Sequence, residues 1–596
     1  MSTNTYAQEK AQVFPKEGLM VFKGLDDTSS PPVVLDGRAS DIQNIILDNT
    51  GTATKRYGYS FEVMLDTNDV SDAFNATTSL YELVKSNGIT TRIATTASKL
   101  FAWSLGNKTD ITSGVTITPN DNYLWNWITA FDYAIGTNGV DPPIQTNGTT
   151  TSTFNFTGLT ATSVPTKAKC VIFWKNYLVF GNTYENSVAR TTRIRWSNVG
   201  TISTWSDDDY QDIATLGGQQ IEGFGTIYDD LYIFLTDSIY KVSLTGGDAL
   251  ITVTKVSEGI GAVSRNNIKS ISIGNTEGLI FLTRDKTINY LDGVKVQEIS
   301  SNIDGVMDDL SQTRLKYASA IVDRGTSHYY LSVTSGTGST NNQILDFNYG
   351  IGEWSKHKGV NANAFCIAND ANEVSQVYFG DYDSFIFQMS DPDLNSDVAG
   401  ETGVFDSSSI IDTTTASGLV VLYDTSADFT DVTGATVTIT SGTGIDEESV
   451  IASTTSSGIV VVGNLTATTN SGYSIGSVEA YYTTKWYDFG SSPQRKNYGE
   501  LFLWATTDTS ATMQIFSATD FSSTIASTDV TLNADGSLWG TAIWGNSTWG
   551  GTSTSLSRIP LSQSGRFIKY RFSESSIDEP MELYGYSTIY WPGDYF

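Results

Sequence analysis

Val171-Ile172-Phe173-Trp174-Lys175-Asn176-Tyr177-Leu178-Val179-Phe180 is two apolar runs of four residues split by a two-residue turn. Runs this short, rich in β-branched and aromatic side chains, predict strands, and Lys-Asn between them predicts a tight hairpin. The plan repeats downstream. Leu231-Tyr232-Ile233-Phe234-Leu235 is followed, after Thr236-Asp237-Ser238, by Ile239-Tyr240-Lys241-Val242. Leu279-Ile280-Phe281-Leu282 leads to Thr287-Ile288-Asn289-Tyr290-Leu291 and the turn Asp292-Gly293. His328-Tyr329-Tyr330-Leu331-Ser332-Val333 pairs in the same way with Gln343-Ile344-Leu345-Asp346-Phe347, and Gln376-Val377-Tyr378-Phe379-Gly380-Asp381 with Ser384-Phe385-Ile386-Phe387-Gln388. Between about residues 165 and 390 the units recur every ~40–60 residues, the range of four-stranded propeller blades. No WD or kelch signature accompanies the repeat.

Helical spacing of apolar residues is almost absent elsewhere, so the whole chain reads as all-β. Its 596 residues exceed what one compact core accommodates, and roughly three or four units are expected. We expect N-terminal strands or an arm over 1–60 and a β-propeller over 61–390. An inserted Ig-like β domain over 391–477 follows, where the texture turns Ser/Thr/Gly-rich, as in Thr436-Val437-Thr438-Ile439-Thr440 and Ile459-Val460-Val461-Val462. A C-terminal β-sandwich over 478–596 begins at the aromatic Glu479-Ala480-Tyr481-Tyr482.

Charge narrows the function classes. The formal net charge is −30, and between Lys358 and Lys485 there are 126 residues with 17 carboxylates and no lysine or arginine. Such a surface repels phosphate, whereas proteins that grip nucleic acid use Lys and Arg to release counterions. Two cysteines, Cys170 and Cys366, suit neither a disulfide framework nor a metal spacing and point to folding in a reducing cytosol. No signal-peptide-like or membrane-spanning run is present, so no membrane anchor is expected.

Enzymatic material is sparse. With only His328 and His357 available, histidine-based metal clusters and triads have little to draw on, and no P-loop, nucleophile elbow or HExxH motif occurs. No catalytic residue, cofactor or metal is therefore expected. Asp391, Asp393, Asn395 and Asp397 alternate as calcium-loop oxygens do, but Ser396 stands where glycine is wanted and Thr402 where a bidentate Glu belongs, so a linker is expected. Trp539, Trp544 and Trp549, each followed by glycine, are candidates for a subunit contact, with sugar stacking the alternative. Arg190, Arg193 and Arg195 before Trp196 are interface candidates, since Arg pairs bidentately, with simple surface salt bridging as the plain alternative.

The opening Leu35-Asp36-Gly37-Arg38-Ala39, Asp41-Ile42-Gln43-Asn44, Asp48-Asn49-Thr50-Gly51 and Lys55-Arg56-Tyr57-Gly58-Tyr59 resembles the N-terminus of tail nozzle proteins of short-tailed bacteriophages. Ile194-Arg195-Trp196-Ser197 with Thr204-Trp205-Ser206, Gly259-Ile260-Gly261-Ala262-Val263-Ser264, the closing Tyr482-Thr483-Thr484-Lys485-Trp486-Tyr487-Asp488-Phe489-Gly490 and the Trp-Gly repeats look like the same family, also called tail tubular protein B or packaged DNA stabilisation protein. Residues from about 400 to 476 do not match its pattern. The resemblance implies a homo-oligomer, a hexameric ring below the adaptor (head-to-tail connector) ring, in contact with tail fibres or spikes. It implies a virion tail protein made in the host cytoplasm, through whose channel double-stranded DNA passes without specific binding. On this reading Asp381 and Asp383, on a blade hairpin, are lumen candidates, while Glu447 and Glu448 keep the inserted domain soluble. A carbohydrate-binding adhesin or tail spike is the alternative function, and a propeller hydrolase a third.

Overall fold

The computed structural model describes residues 20–65 and 76–595, except 216, 246–250, 371, 392–393, 395, 399–400, 406, 413–418, 428, 430–431, 434, 446, 456–457, 463–464, 469, 507–510, 533–554 and 578. Among these residues the chain forms two compact units, one of residues 57–476 and one of residues 20–56 with 477–595.

The first unit contains seven four-stranded antiparallel sheets. Strand alternation explains each of them. In Asp230–Leu235, Leu231, Ile233 and Leu235 pack toward Trp174, Val179 and Ile194 of the preceding sheet. The intervening Tyr232 and Phe234 pack toward Leu279 and Phe281 of the next. Because both faces are covered, the strand is an unbroken apolar run rather than an alternating one. Each such side chain withdrawn from water contributes roughly 1.5–3 kcal/mol before entropy is counted. Phe234 and Phe281 meet edge to face at 4.9 Å between ring centroids.

The first strands of the sheets contact one another in succession: Ser79–Val84, Asn126–Ala130, Pro165–Trp174, Ile221–Ile227, Lys269–Ile273, Ser319–Asp323 and Ala364–Asn369. The last returns to Ser79–Val84, so the ring closes as a seven-bladed β-propeller. The hairpin that opened the reading is present, with Trp174 opposite Tyr177. Lys175 and Asn176 both have positive φ, 48° and 65°, the backbone that a two-residue turn between right-twisted strands requires. The other four expected hairpins are present in register. Two further blades, over 79–110 and 126–153, precede the stretch in which the repeat was legible.

The seventh blade is composite. Three of its strands come from residues 364–391 and the outermost is Gly58–Met64, with Phe385 opposite Met64, Ile386 opposite Val63 and Phe387 opposite Phe61. Joining the chain's early and late strands in one sheet removes two open edges at once. Beside it, Leu394 and residues 396–398 form a seam: Gly58 N–H donates to Leu394 O, Val398 N–H to Tyr59 O and Asp397 N–H to Gly476 O. Asp397 and Ser396 are buried there. Of the four oxygen-bearing positions considered for calcium, Asp393 and Asn395 lie outside the described residues, and Asp391 ends a strand.

The inserted domain is one seven-stranded antiparallel sheet within residues 401–475. Its hydrogen bonds follow a single path through the seven strands. Val437, Ile439, Ile451, Ile459, Val461 and Tyr473 form its core.

The second unit corrects the expected boundary at residue 60. The N-terminal strands are no separate arm: Ala39–Gln43 pairs with Ala480–Thr484, and Ala53–Lys55 pairs with Glu582–Tyr595. They complete sheets of five and six strands, whose open edges the C-terminal segment alone would leave exposed. Tyr586 of one sheet meets Phe572 and Tyr570 of the other, and Phe22 closes on Tyr482 at 4.7 Å. Lys55 is buried in an ion pair with Glu574 at 2.7 Å, and carbonyls of Ser576 and Glu579 accept its other hydrogens.

A Cβ at Gly58 would run into the Ser396 carbonyl. Gly58→Ala is expected to destabilise the propeller by about 2–3 kcal/mol, read as a lower urea midpoint, while the conservative Ile386→Val in the same blade costs only about 1 kcal/mol.

Candidate functional site in the propeller channel

The inner strands surround a cavity of about 330 Å3. Thr78 to Glu82, Trp125 to Trp127, Asn266, Lys269, Ser319 to Ile321 and Asn363 to Ile367 line it. These are the first strands of five blades and the residues just before them, which the ring places around one axis. Trp125 and Trp127 stack at 5.6 Å, and Trp127 Nε1 donates to Ser79 Oγ at 2.9 Å. Asn126 Oδ1 accepts from Val171 N–H, and Asn363 Nδ2 donates to Thr77 O, so neighbouring blades hold these amides in fixed orientations.

A second cavity of about 190 Å3 adjoins the first through Asn266, which lines both, and offers it a mouth. Lys169, Arg265 and Lys316 line this mouth with Glu222 as the carboxylate among its walls. Lys169 pairs with Glu222. The Arg265 guanidinium donates to the Lys169 and Leu124 carbonyls, and enclosure by protein pushes its pKa down. Lys316 is exposed and lies 4.9 Å from the Tyr317 ring centroid. Lys269, deeper in the channel, keeps some contact with channel water but is surrounded by protein, which lowers its ammonium pKa to about 8. A protein of net charge −30 thus collects cations where its blades converge.

Sequence reasoning missed these four residues. Lys169, the neighbours Arg265 and Lys269, and Lys316 come from three separate stretches of the chain. The available signal was positional: each lies on or just ahead of the first strand of a blade.

The residues singled out from the sequence are placed otherwise. Arg193 and Arg195 are not free for an interface. Arg193 grips Asp212 through Nε at 2.8 Å and a terminal nitrogen at 2.7 Å, and reaches Glu185 at 2.9 Å. Arg195, fully buried, shares Glu185 and the Ser206 carbonyl, and the Tyr210 ring covers Arg193 at 3.9 Å. Two guanidiniums on one side of a strand demand a buried carboxylate, and Glu185, at the end of the neighbouring strand, supplies it. Arg190, on the same strand, is exposed. Trp539, Trp544 and Trp549 lie outside the described residues.

Asp381 and Asp383 sit in the turn between Ser375–Gly380 and Phe385–Asp391. Asp381 is buried and accepts from the Asp383 and Phe385 N–H groups. Burial, and then the carboxylate of Asp383, push its pKa well above the usual range; burial and Asp121 raise that of Asp383. Asp381 is therefore a turn-forming side chain rather than an open wall charge, which corrects its assignment to a lumen surface. Glu447, by contrast, accepts from Thr466 N–H and Oγ1, which hold its carboxyl below the usual range, and Glu448 is exposed.

No protein-family model matches the chain, and no curated protein matches it. Among solved structures, BBS1N, from a complex with ARL6DN, is similar over 56% of this chain and 98% of its own, at 10% identity and a TM-score of 0.33. The Neurospora crassa Pan2 WD40 domain covers 53% of this chain and 90% of its own, at 6% identity and a TM-score of 0.31. The seven closed blades themselves define the class: a β-propeller protein carrying an inserted β domain and a two-sheet β domain completed by its N-terminal strands.

Both histidines of the chain are spent inside the sixth blade. His328 Nδ1 lies 2.6 Å from one Asp346 oxygen and His357 Nε2 lies 3.1 Å from the other, all three buried. Burial alone would push His328 down, but Asp346 outweighs it and holds the imidazole above its ordinary 6.5. Burial likewise opposes ionisation of Asp346, but His328 and His357 hold its carboxyl below its ordinary 3.8. The raised histidine stabilises the fold fully below 6.5 and loses that contribution as pH rises through its folded pKa. The depressed aspartate contributes above 3.8 and loses it as pH falls. Asp346→Asn is expected to cost about 3 kcal/mol between those limits and to flatten the decline in thermal midpoint on the alkaline side, measured by scanning calorimetry across that pH range.

Proposed function

We propose that this chain is a structural subunit of a short-tailed bacteriophage tail. As a nozzle-type ring component, it retains packaged double-stranded DNA and lets it pass at ejection. The observation that carries the reading is the chain path. The segments that resemble the nozzle family at the N-terminus, 35–51, and near the C-terminus, 482–490, lie in one unit, and the propeller is threaded between them.

Charge supports it. A DNA conduit must not adsorb phosphates, because each Lys or Arg contact adds a binding term that slows sliding. The Lys/Arg-free run from residue 359 to 484 spans the last blade and the inserted domain. Histidine chemistry is absent from this reading for a physical reason: both imidazoles are buried on Asp346 and reach no open site. The work done is mechanical, with head-to-tail contacts closing a ring and pressurised DNA leaving through it.

Native mass spectrometry and negative-stain imaging of the purified protein, alone and with its adaptor ring, test the assignment. A hexamer with a central hole is expected, together with no retardation of duplex DNA at low salt. A chain that stays monomeric even with its neighbouring tail proteins overturns it, and a trimer with glycan-array signal transfers the assignment to an adhesin.

A further inference from the structure

We propose that the propeller channel is a binding site for a compact organic anion of the di- or tricarboxylate class, held by Lys269 and admitted past Lys169, Arg265 and Lys316. The inference concerns a site inside a single chain and does not rest on the ring or tail reading.

Lys269 is the first observation. Among the described residues other cations drawn into the protein have acceptors: Lys55 has Glu574, Lys169 has Glu222, Arg193 and Arg195 have Glu185, Arg265 has two carbonyls, and Lys496 has the carbonyls of Ser491, Gln494 and Arg566. Among the described residues Lys269 has neither a hydrogen-bond acceptor nor an ion-pair partner. Lys269 lines the cavity and is only partly exposed, so an anion entering the channel meets an ammonium with no protein acceptor already on it, in surroundings less polar than bulk water that strengthen the pairing.

The walls supply the second observation. With its Oδ1 engaged by Val171 N–H, Asn126 has its amide nitrogen left to donate, and Asn266 and Ser319 line the same space. Glu82 also lines it, and burial pushes its carboxyl pKa up, which weakens its opposition to an anion.

Size and field define the ligand class. About 330 Å3 lies at the lower end of small-molecule pockets, with room for a compact molecule and none for a nucleic-acid strand. The surrounding molecule carries −30 and repels anions in general, so three cations against Glu222 at the mouth create a local reversal of field. A short molecule with two or three carboxylates offers one charge to Lys269 and others to the cations beyond Asn266, whereas a neutral sugar has no use for either.

Citrate is the probe. Differential scanning calorimetry of the full chain in saturating citrate, against sodium chloride of equal ionic strength, is expected to raise the thermal midpoint by several degrees. Lys269→Met should abolish the citrate response. Lys316→Gln, at an exposed position that folding does not depend on, should weaken the citrate dissociation constant by about tenfold. The proposal is overturned if citrate leaves the wild-type midpoint at its chloride value, or if both variants respond to citrate as the wild type does.

Discussion

The burial of both faces of every blade is the constraint on which this structure depends. A sheet whose strands are apolar on each side cannot end the series, because its outer face would meet water. Leu231, Ile233 and Leu235 need one neighbour and Tyr232 and Phe234 another. Only a closed ring gives every sheet two neighbours. Closure then decides the chain path. Gly58–Met64 must leave the two-sheet unit before the first blade and wait for residues 385–391 to return beside it. The sandwich is in turn left to be completed by strands that precede the propeller.

The same geometry redistributes charge. A chain with 65 acidic and 35 basic residues could have paired its cations across the surface. Instead several lie inside: Arg193 and Arg195 on Glu185, Lys55 on Glu574, and Lys169, Arg265 and Lys269 around the axis where inner strands converge. Withdrawing cations from the surface sharpens the acidity of what is left outside. One cause thereby produces both an acidic exterior and a channel lined by cations.

Much of this was legible in the sequence, and the failures have physical causes. Five hairpins were readable because a doubly buried strand is a short apolar run bounded by turn residues, a local property. The blades over 79–110 and 126–153 were harder, since Thr90–Thr95 and Thr151–Thr153 dilute the apolar signal with threonine. Asp381 illustrates the opposite error. From the sequence it is an acid on a hairpin, hence a surface charge; in the fold its carboxylate is turned back onto Asp383 and Phe385 N–H groups and buried. The arginines misled in the same way, because a buried ion pair and an exposed anchor use identical residues.

By itself the sequence determined the all-β class, the blade-like period and the net repulsion of phosphate, because strand length, turn chemistry and total charge are sums over local residues. Blade number, the composite seventh blade, the sandwich completed by residues 20–56 and the cationic channel were decided by the tertiary structure alone. Each of these joins residues from separate parts of the chain, and only the closure of doubly buried sheets around an axis brings Lys169, Arg265, Lys269 and Lys316 to one place.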